Sequence, residues 1–283
     1  MNILDQFSYE VDEVAIFEKI NTITRRAVNL KDKDMLQHIF SLIDLTTLNT
    51  SDTDERIKIM TEKVNGISKR FPYLRNVASI CVYPVFIPLV KKHLRDESVK
   101  IASAAAGFPA SQTFLDVKIR EVECILEAGA DELDIVMSVG KFLSGDYEYV
   151  VDEIRKIKEK CGGKPLKVIL ETGELPSLKS IKLASFLAME AGADFIKTST
   201  GKTTIGSTPE AFYVMCEAVK EYKTATGKIT GIKPAGGISD ASTAILYYLI
   251  VSDILGNDWL NSKRLRFGAS KLANNLLGEK YFG

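Results

Sequence analysis

The chain predicts a (β/α)8 barrel, and three observations make the case. Eight short apolar runs recur along it, separated by segments of helical period. The runs are mostly continuous rather than alternating, as in strands buried on both faces. The first ends in Asp44-Leu45-Thr46-Thr47-Leu48-Asn49, without the GxGxxG turn that an open doubly wound sheet would place there.

The expected strands, in order, are Ile39–Leu45, Val77–Val82, Val99–Ala104, Glu132–Met137, Leu166–Glu171, Phe195–Thr198, Lys228–Lys233 and Leu265–Phe267. Ahead of them, Val11–Leu30 reads as an added helix, so residues 1–35 form an N-terminal extension and 36–283 the barrel. Ser111–Ala128 has helical period, with Phe114, Val117, Val122, Ile125 and Leu126 expected on one inward side. Pro176–Ala191 is a second helix. Its proline suits a first turn, Ile181, Ala184, Leu187 and Ala188 face inward, and Gly192 suits the C-terminal cap. The joints Glu127-Ala128-Gly129-Ala130-Asp131 and Glu190-Ala191-Gly192-Ala193-Asp194 echo each other, each linking a helix end to a strand start.

The totals narrow the function. A chain of 283 residues with 46% hydrophobic content can bury a large core. Lys and Arg number 37 and Asp and Glu 37, so no global field argues for nucleic acid or a membrane surface. Cys81, Cys124, Cys161 and Cys216 are scattered, which fits a reduced, cytoplasmic setting. Met1-Asn2-Ile3-Leu4-Asp5-Gln6-Phe7 lacks the pattern of a signal peptide, and the longest apolar run, Ala244–Val251, is too short for a bilayer.

Two lysines carry the chemistry. Lys197 and Lys233 each close an apolar run and precede small, loop-forming residues. Catalytic groups of this fold come from the C-terminal ends of strands, where Asp44, Asp134, Glu171, Lys197 and Lys233 all fall. Two ammonium groups in one cavity repel, so one sheds its proton more easily, and a neutral amine attacks carbonyls. Bringing a lysine from about 10.4 to about 7 takes roughly 4 kcal/mol, within reach of a like charge plus desolvation. Lys197 is assigned as nucleophile and Lys233 as perturbing cation, although spacing alone does not separate the roles. The bland alternatives are a buried structural ion pair or a strand-end lysine snorkelling to solvent for Lys197, and a salt-bridge partner of a buried lysine for Asp134. Alternation puts Glu132, Asp134 and Val136 on one side of their strand, and Asp134 is the candidate proton-transfer group. Glu171 is expected to be a charge partner.

Gly236-Gly237-Ile238-Ser239 and Gly268-Ala269-Ser270 follow the seventh and eighth strands, where this fold usually binds phosphate, and Gly201-Lys202 adds a cation. Thr198 opens a hydroxyl-rich stretch beside the nucleophile, and Cys81 is a core residue with a position near the pocket. The two histidines, His38 and His93, lack metal-ligand spacing, so a zinc-dependent aldolase is disfavoured and no metal or cofactor is expected. A non-catalytic phosphosugar-binding barrel would keep the glycine loops yet tolerate loss of the lysine pair and Asp134. All three are present.

These motifs, together with Ile80-Cys81-Val82-Tyr83-Pro84, Lys167-Val168-Ile169-Leu170-Glu171-Thr172-Gly173-Glu174-Leu175 and Arg266-Phe267-Gly268-Ala269-Ser270, resemble the deoxyribose-phosphate aldolases from about Leu42 to Leu277. The resemblance implies reversible cleavage of 2-deoxy-D-ribose 5-phosphate to acetaldehyde and D-glyceraldehyde 3-phosphate on a (β/α)8 barrel. Lys197 would form the Schiff base, Lys233 would tune it, and Asp134 would shuttle protons with water. Asp44, Thr46, Asn49 and Cys81 would lie near the sugar. Gly201, Lys202, Gly236, Gly237, Gly268 and Ser270 would hold the phosphate. The chain departs from some members at Ser239, where they carry a basic residue, and at Lys271, where they carry serine. Tyr281 is a candidate counterpart of a tail tyrosine that assists proton transfer in some members. A related Schiff-base aldolase with a longer donor is the alternative enzyme, and a homo-oligomer, a dimer first, is the expected assembly.

Overall fold

The computed structural model describes residues 7–30 and 32–282. Residues 1–6 and 31 of the expected N-terminal extension, with the leader-free start read from the first of them, and Gly283 lie outside the described residues.

Among the described residues, eight parallel strands follow one another around a barrel: β1 Ile43–Thr46, β2 Ser79–Val82, β3 Lys100–Ala105, β4 Glu132–Val136, β5 Leu166–Ile169, β6 Phe195–Lys197, β7 Gly231–Lys233 and β8 Phe267–Ala269. Their order is β7-β6-β5-β4-β3-β2-β1-β8. The ring closes between β7 and β8 through two isolated bridges, Ile232 to Leu265 and Ala235 to Gly268. Helices alternate with the strands, as the sequence predicts for a TIM barrel.

The edges of several elements differ from expectation, each for a local reason. Residues Lys33–Ser41 form a helix, so β1 starts at Ile43 rather than Ile39. Asp32 caps that helix, accepting from Met35 N at 3.0 Å, and its last turn takes the apolar Ile39 and Phe40 into the core. Left-handed Gly227 (φ 72°) ends the preceding helix, and β7 is reached only at Gly231. Strand β8 lies two residues later than expected. The helix placed at Ser111 begins at Leu115, so Phe114 occupies its cap and is 81% exposed, and Val117 is 52% exposed. The inward apolar residues of that helix are Val122 and Ile125, with Lys118 buried beside them and Leu126 half-buried. Pro176 precedes the cap Ser177, whose hydroxyl accepts from Ser180 N at 3.1 Å, and the helix runs Leu178–Glu190. Ile181, Ala184, Leu187 and Ala188 are buried as expected.

The added N-terminal helix is Glu13–Asn29. Ile16, Ile20, Ile23 and Ala27 recur along one face and are buried, each isoleucine stabilising by roughly 1.5–3 kcal/mol. Arg26 reaches Asp253 at 2.6 Å, and Phe7 stacks on Phe186 at 4.4 Å. The helix Ala241–Leu255 is therefore covered on its outer side, which explains why Ala244–Val251 is buried without interruption. No helix among the described residues is long and apolar enough to cross a membrane.

Register positions the site. Lys197 pairs with Lys233 across β6 and β7, Asp134 with Lys167 across β4 and β5, and Asp44 with both Ser79 and Gly268. Paired residues of parallel strands face the same side of a sheet, so each pair projects into the barrel together.

Candidate active site

Seven ionisable side chains fill the barrel interior, from Glu132, Lys167 and Arg266 at the N-terminal ends of their strands to Lys197 and Lys233 at the C-terminal ends. The carboxylates are Asp44, Glu132 and Asp134; the cations are Lys167, Lys197, Lys233 and Arg266. Barrel interiors usually hold branched apolar residues. Here the neighbours on the inward register are small, with Ser79 beside Asp44, Ala102 beside Glu132 and Ala104 beside Asp134. Four long cationic stems occupy the volume those small residues leave. Gly268 is part of that arrangement, because a Cβ there would meet Ala235 Cβ at 2.7 Å and Lys233 Cε at 3.2 Å.

Asp134 is the centre of the network. Its Oδ2 accepts from Lys197 at 2.9 Å and from Lys233 at 2.7 Å, and its Oδ1 from Lys167 at 2.8 Å. Lys233 also pairs with Asp44 at 2.5 Å, and Lys167 with Glu132 at 2.7 Å. Arg266 bridges Asp44 at 2.5 Å and Glu132 at 2.7 Å, and Ser79 donates to Asp44 at 2.7 Å. Burying so many charges is costly unless each finds a partner, and each does.

The count of charges matters as much as the contacts. Four cations face three carboxylates, so the cluster reaches neutrality when one lysine gives up its proton. Lys197 is the one whose pKa is lowered. Burial lowers it most, Asp134 opposes, and the neighbouring Lys233 ammonium lowers it further. Lys233 is raised despite its burial, because Asp134 and Asp44 outweigh that penalty, and Lys167 is raised against burial by Asp134, Glu132 and Asp44. Asp134 is held well below the carboxylate range: its burial is outweighed by Lys167, Lys197 and Lys233. The side chain of Lys197 retains 4% exposure, whereas those of Lys167 and Lys233 have 0%. Of these three lysines, Lys197 alone combines a lowered pKa with residual side-chain exposure.

The other expected residues fall into groups. Cys81 is fully buried, and burial followed by the Asp134 charge pushes its thiol up to about 11. Thr198 is buried between β6 and β7, donating to Ala235 O at 3.0 Å and accepting from Ala235 N at 2.9 Å, so its hydroxyl secures main chain. Gly201 and Gly236 come together in loops after β6 and β7, both with left-handed φ (73° and 86°). A Cβ on Gly236 would lie 3.1 Å from Gly206 Cα and 3.6 Å from Gly201 Cα, so close backbone approach requires the glycines there. Gly237 is exposed, and the Ser239 carbonyl accepts from Asn275. Lys202 reaches toward the loop after β1, where its ammonium donates to Leu48 O. Thr46, Asn49 and Ser270 line a cleft beside the mouth rather than the lysine cluster.

Two expectations are met differently. Glu171 pairs with none of these lysines; its carboxylate accepts from the Thr200 hydroxyl at 2.5 Å and from Thr203 at 3.3 Å, shaping the loop after β6. Tyr281 donates to Lys63 O at 2.9 Å and packs against Phe71 at 5.5 Å. Lys63 lies ten residues beyond the cap Thr53, or about 15 Å down the helix from the mouth, so the tyrosine is docked away from the amines. Lys167, Glu132 and Arg266 had no role in the sequence reading. Their signal was positional: each is a charged residue at an inward position of an apolar run.

A family model for DeoC/LacD family aldolases matches residues 39–247. The chain belongs to the DeoC/LacD aldolase family. This aldolase is 41% identical over 270 residues to a protein of Caenorhabditis elegans, a match covering 95% of this chain and 89% of the relative. A solved structure from Toxoplasma gondii ME49 superposes with a TM-score of 0.77 at 21% identity, covering 87% of this chain and 94% of that one. Both are described as putative deoxyribose-phosphate aldolases. The deoxyribose phosphate aldolase of Aeropyrum pernix, described as a tetramer, aligns at 28% identity with a TM-score of 0.64, covering 90% and 96% of the two chains. The Toxoplasma likeness bears on the aldolase's fold alone.

Proposed function

We propose that this aldolase cleaves 2-deoxy-D-ribose 5-phosphate reversibly to acetaldehyde and D-glyceraldehyde 3-phosphate through an imine on Lys197. One observation carries the reading: of the three lysines in the cluster, only Lys197 combines a loosened proton with residual exposure. The Caenorhabditis relative, matched over nearly its whole length, supports the substrate.

In the cleavage direction the neutral Nζ of Lys197 attacks the C1 aldehyde. The carbinolamine gains a proton on oxygen and loses water, leaving an iminium. The C3 hydroxyl then gives up its proton, the C2–C3 electrons move into the iminium, and the aldehyde of glyceraldehyde phosphate departs. The remaining enamine is protonated at C2, and water hydrolyses the acetaldehyde iminium to free Lys197. Asp134 stays a carboxylate throughout its neighbours' range and is bonded to the nucleophile, so it orients the amine and relays protons through water. Lys233 remains a cation beside the nucleophile and keeps its proton loose. Asp44 anchors Lys233, with Thr46, Asn49 and Cys81 toward the sugar. The phosphate end is assigned to Gly201, Lys202, Gly236, Gly237, Ser239, Gly268 and Ser270, with Lys202 leaving the Leu48 carbonyl to meet it. We further assign a cytoplasmic setting and a homodimer.

Acetaldehyde with borohydride should add a stable mass to Lys197, located by peptide mapping, and deoxyribose phosphate should turn over in a dehydrogenase-coupled assay. Lys197→Leu should lose both while melting as a folded protein. Persistent activity with Lys197 unlabelled would refute the assignment.

A further inference from the structure

Beside the mouth, the helix Asp54–Asn65 and the last helix, Lys271–Leu277, border a cleft of about 720 Å³. Arg56 and Lys63 line it from the first helix, seven residues apart and so on one face, about 10 Å from each other. Lys271 faces them from the second helix, and Lys280 lines the cleft from the tail. Four cations therefore border a space that holds one carboxylate, Glu55, in a chain whose totals balance at 37 and 37. Among the described residues, Lys63, Lys271 and Lys280 have no carboxylate within 4.0 Å. Arg56 holds Asp52 at 3.5 Å, and that carboxylate already accepts from Thr47 and Asn49. The local field is positive and largely uncompensated.

The cations have a geometry as well as a sign. The rise between Arg56 and Lys63 alone, about 10 Å, is longer than one phosphate group. Three of the four are lysines, compact charges suited to tetrahedral oxyanions rather than to the planar bidentate pairing that favours arginine. We propose that the outer part of this cleft, bordered by Arg56, Lys63, Lys271 and Lys280, binds a small molecule carrying two or more linked phosphate groups, beside the Thr46, Asn49 and Ser270 edge assigned above to the substrate. Such a ligand would fix the loop after β1, the same loop on which Lys202 docks at Leu48. The site is thereby placed to alter how the barrel mouth opens.

The test is calorimetric titration of the full chain with sodium tripolyphosphate. One saturable site per chain is expected, weakening as salt rises. Lys63→Glu with Lys280→Glu should weaken binding at least tenfold, and Lys280→Gln alone, a mild change at an exposed position, about threefold. Lys92→Glu, on the helix Ile87–His93, should leave it within twofold. Circular dichroism confirms that each variant is folded. Absence of saturable binding, unchanged affinity in both cleft variants, or an equal loss in Lys92→Glu would overturn the proposal.

Discussion

Lys118 and Lys197 are both buried lysines held by carboxylates, yet their surroundings differ in kind. Lys118 donates to Glu153 at 2.7 Å, Ser111 at 2.7 Å and Ser138 at 3.2 Å, so all three ammonium protons are engaged. Glu153 accepts in addition from Ser138 at 2.6 Å and Tyr149 at 3.2 Å. One cation there faces one anion, and the remaining partners are neutral hydroxyls. Lys197 has a single carboxylate contact, on an oxygen it shares with Lys233. Burial and pairing are common to both lysines. A surplus of positive charge surrounds Lys197 and not Lys118, and in the proposed mechanism it adds to burial in loosening the Lys197 proton.

The comparison breaks most visibly at Lys118. Lys118→Met leaves the Glu153 carboxylate buried without its cation and should cost about 3–5 kcal/mol, read by denaturant melts. The folded fraction should keep its turnover within about threefold. A variant that melts normally but loses turnover would place Lys118 in the chemistry and erase the distinction.

Lys233→Leu sharpens the other half. Activity requires neutral Lys197, so it rises as pH climbs through that lysine's pKa. Removing the neighbouring ammonium also leaves Asp134 and Asp44 with less positive charge, and both changes raise the pKa of Lys197. The acidic limb of kcat/KM should move to higher pH by about a unit or more, with a slower maximum. Lys233→Arg, which keeps the cation, should move the limb much less. An unmoved limb in Lys233→Leu would remove the tuning role.

The smallest effect is expected at Gly268. Its Cβ would press on Ala235 and on the Lys233 stem, so Gly268→Ala should cost about 1–3 kcal/mol of stability. It should also shift the acidic limb in the direction of Lys233→Leu by a fraction of that change. A melting shift with no change in the pH profile would mean that the lysine stem is not held there.

The barrel and its lysine pair were legible because a lysine closing an apolar run is conspicuous, and because repeated strand-helix joints set the rhythm. Lys167 was not, since it lies inside a run, Leu166-Lys167-Val168-Ile169, where one charge reads as an exposed residue of a half-buried strand. Arg266 was passed over in the same way: it precedes β8 by one residue, and only closure of the ring turns it inward against Asp44 and Glu132. Phe114 was misplaced because apolar periodicity does not reveal where a helix begins, and here it begins one residue later. The cleft between the helices Asp54–Asn65 and Lys271–Leu277 is formed by positions more than two hundred residues apart, which no local pattern exposes.

Closure of the ring also has a bearing on hydration. The join between β7 and β8 is made by isolated bridges, stitched by Ile232 N to Arg264 O at 2.7 Å, Arg266 N to Ile232 O at 3.1 Å and Gly268 N to Pro234 O at 2.9 Å. Lys233 and Arg266 lie on its two flanks. A brief parting of that suture would let solvent reach both, screen the repulsion between the paired amines and return Lys197 to the protonated, unreactive state of a surface lysine. In the proposed mechanism, how well the staves stay sealed therefore sets how readily the amine reacts.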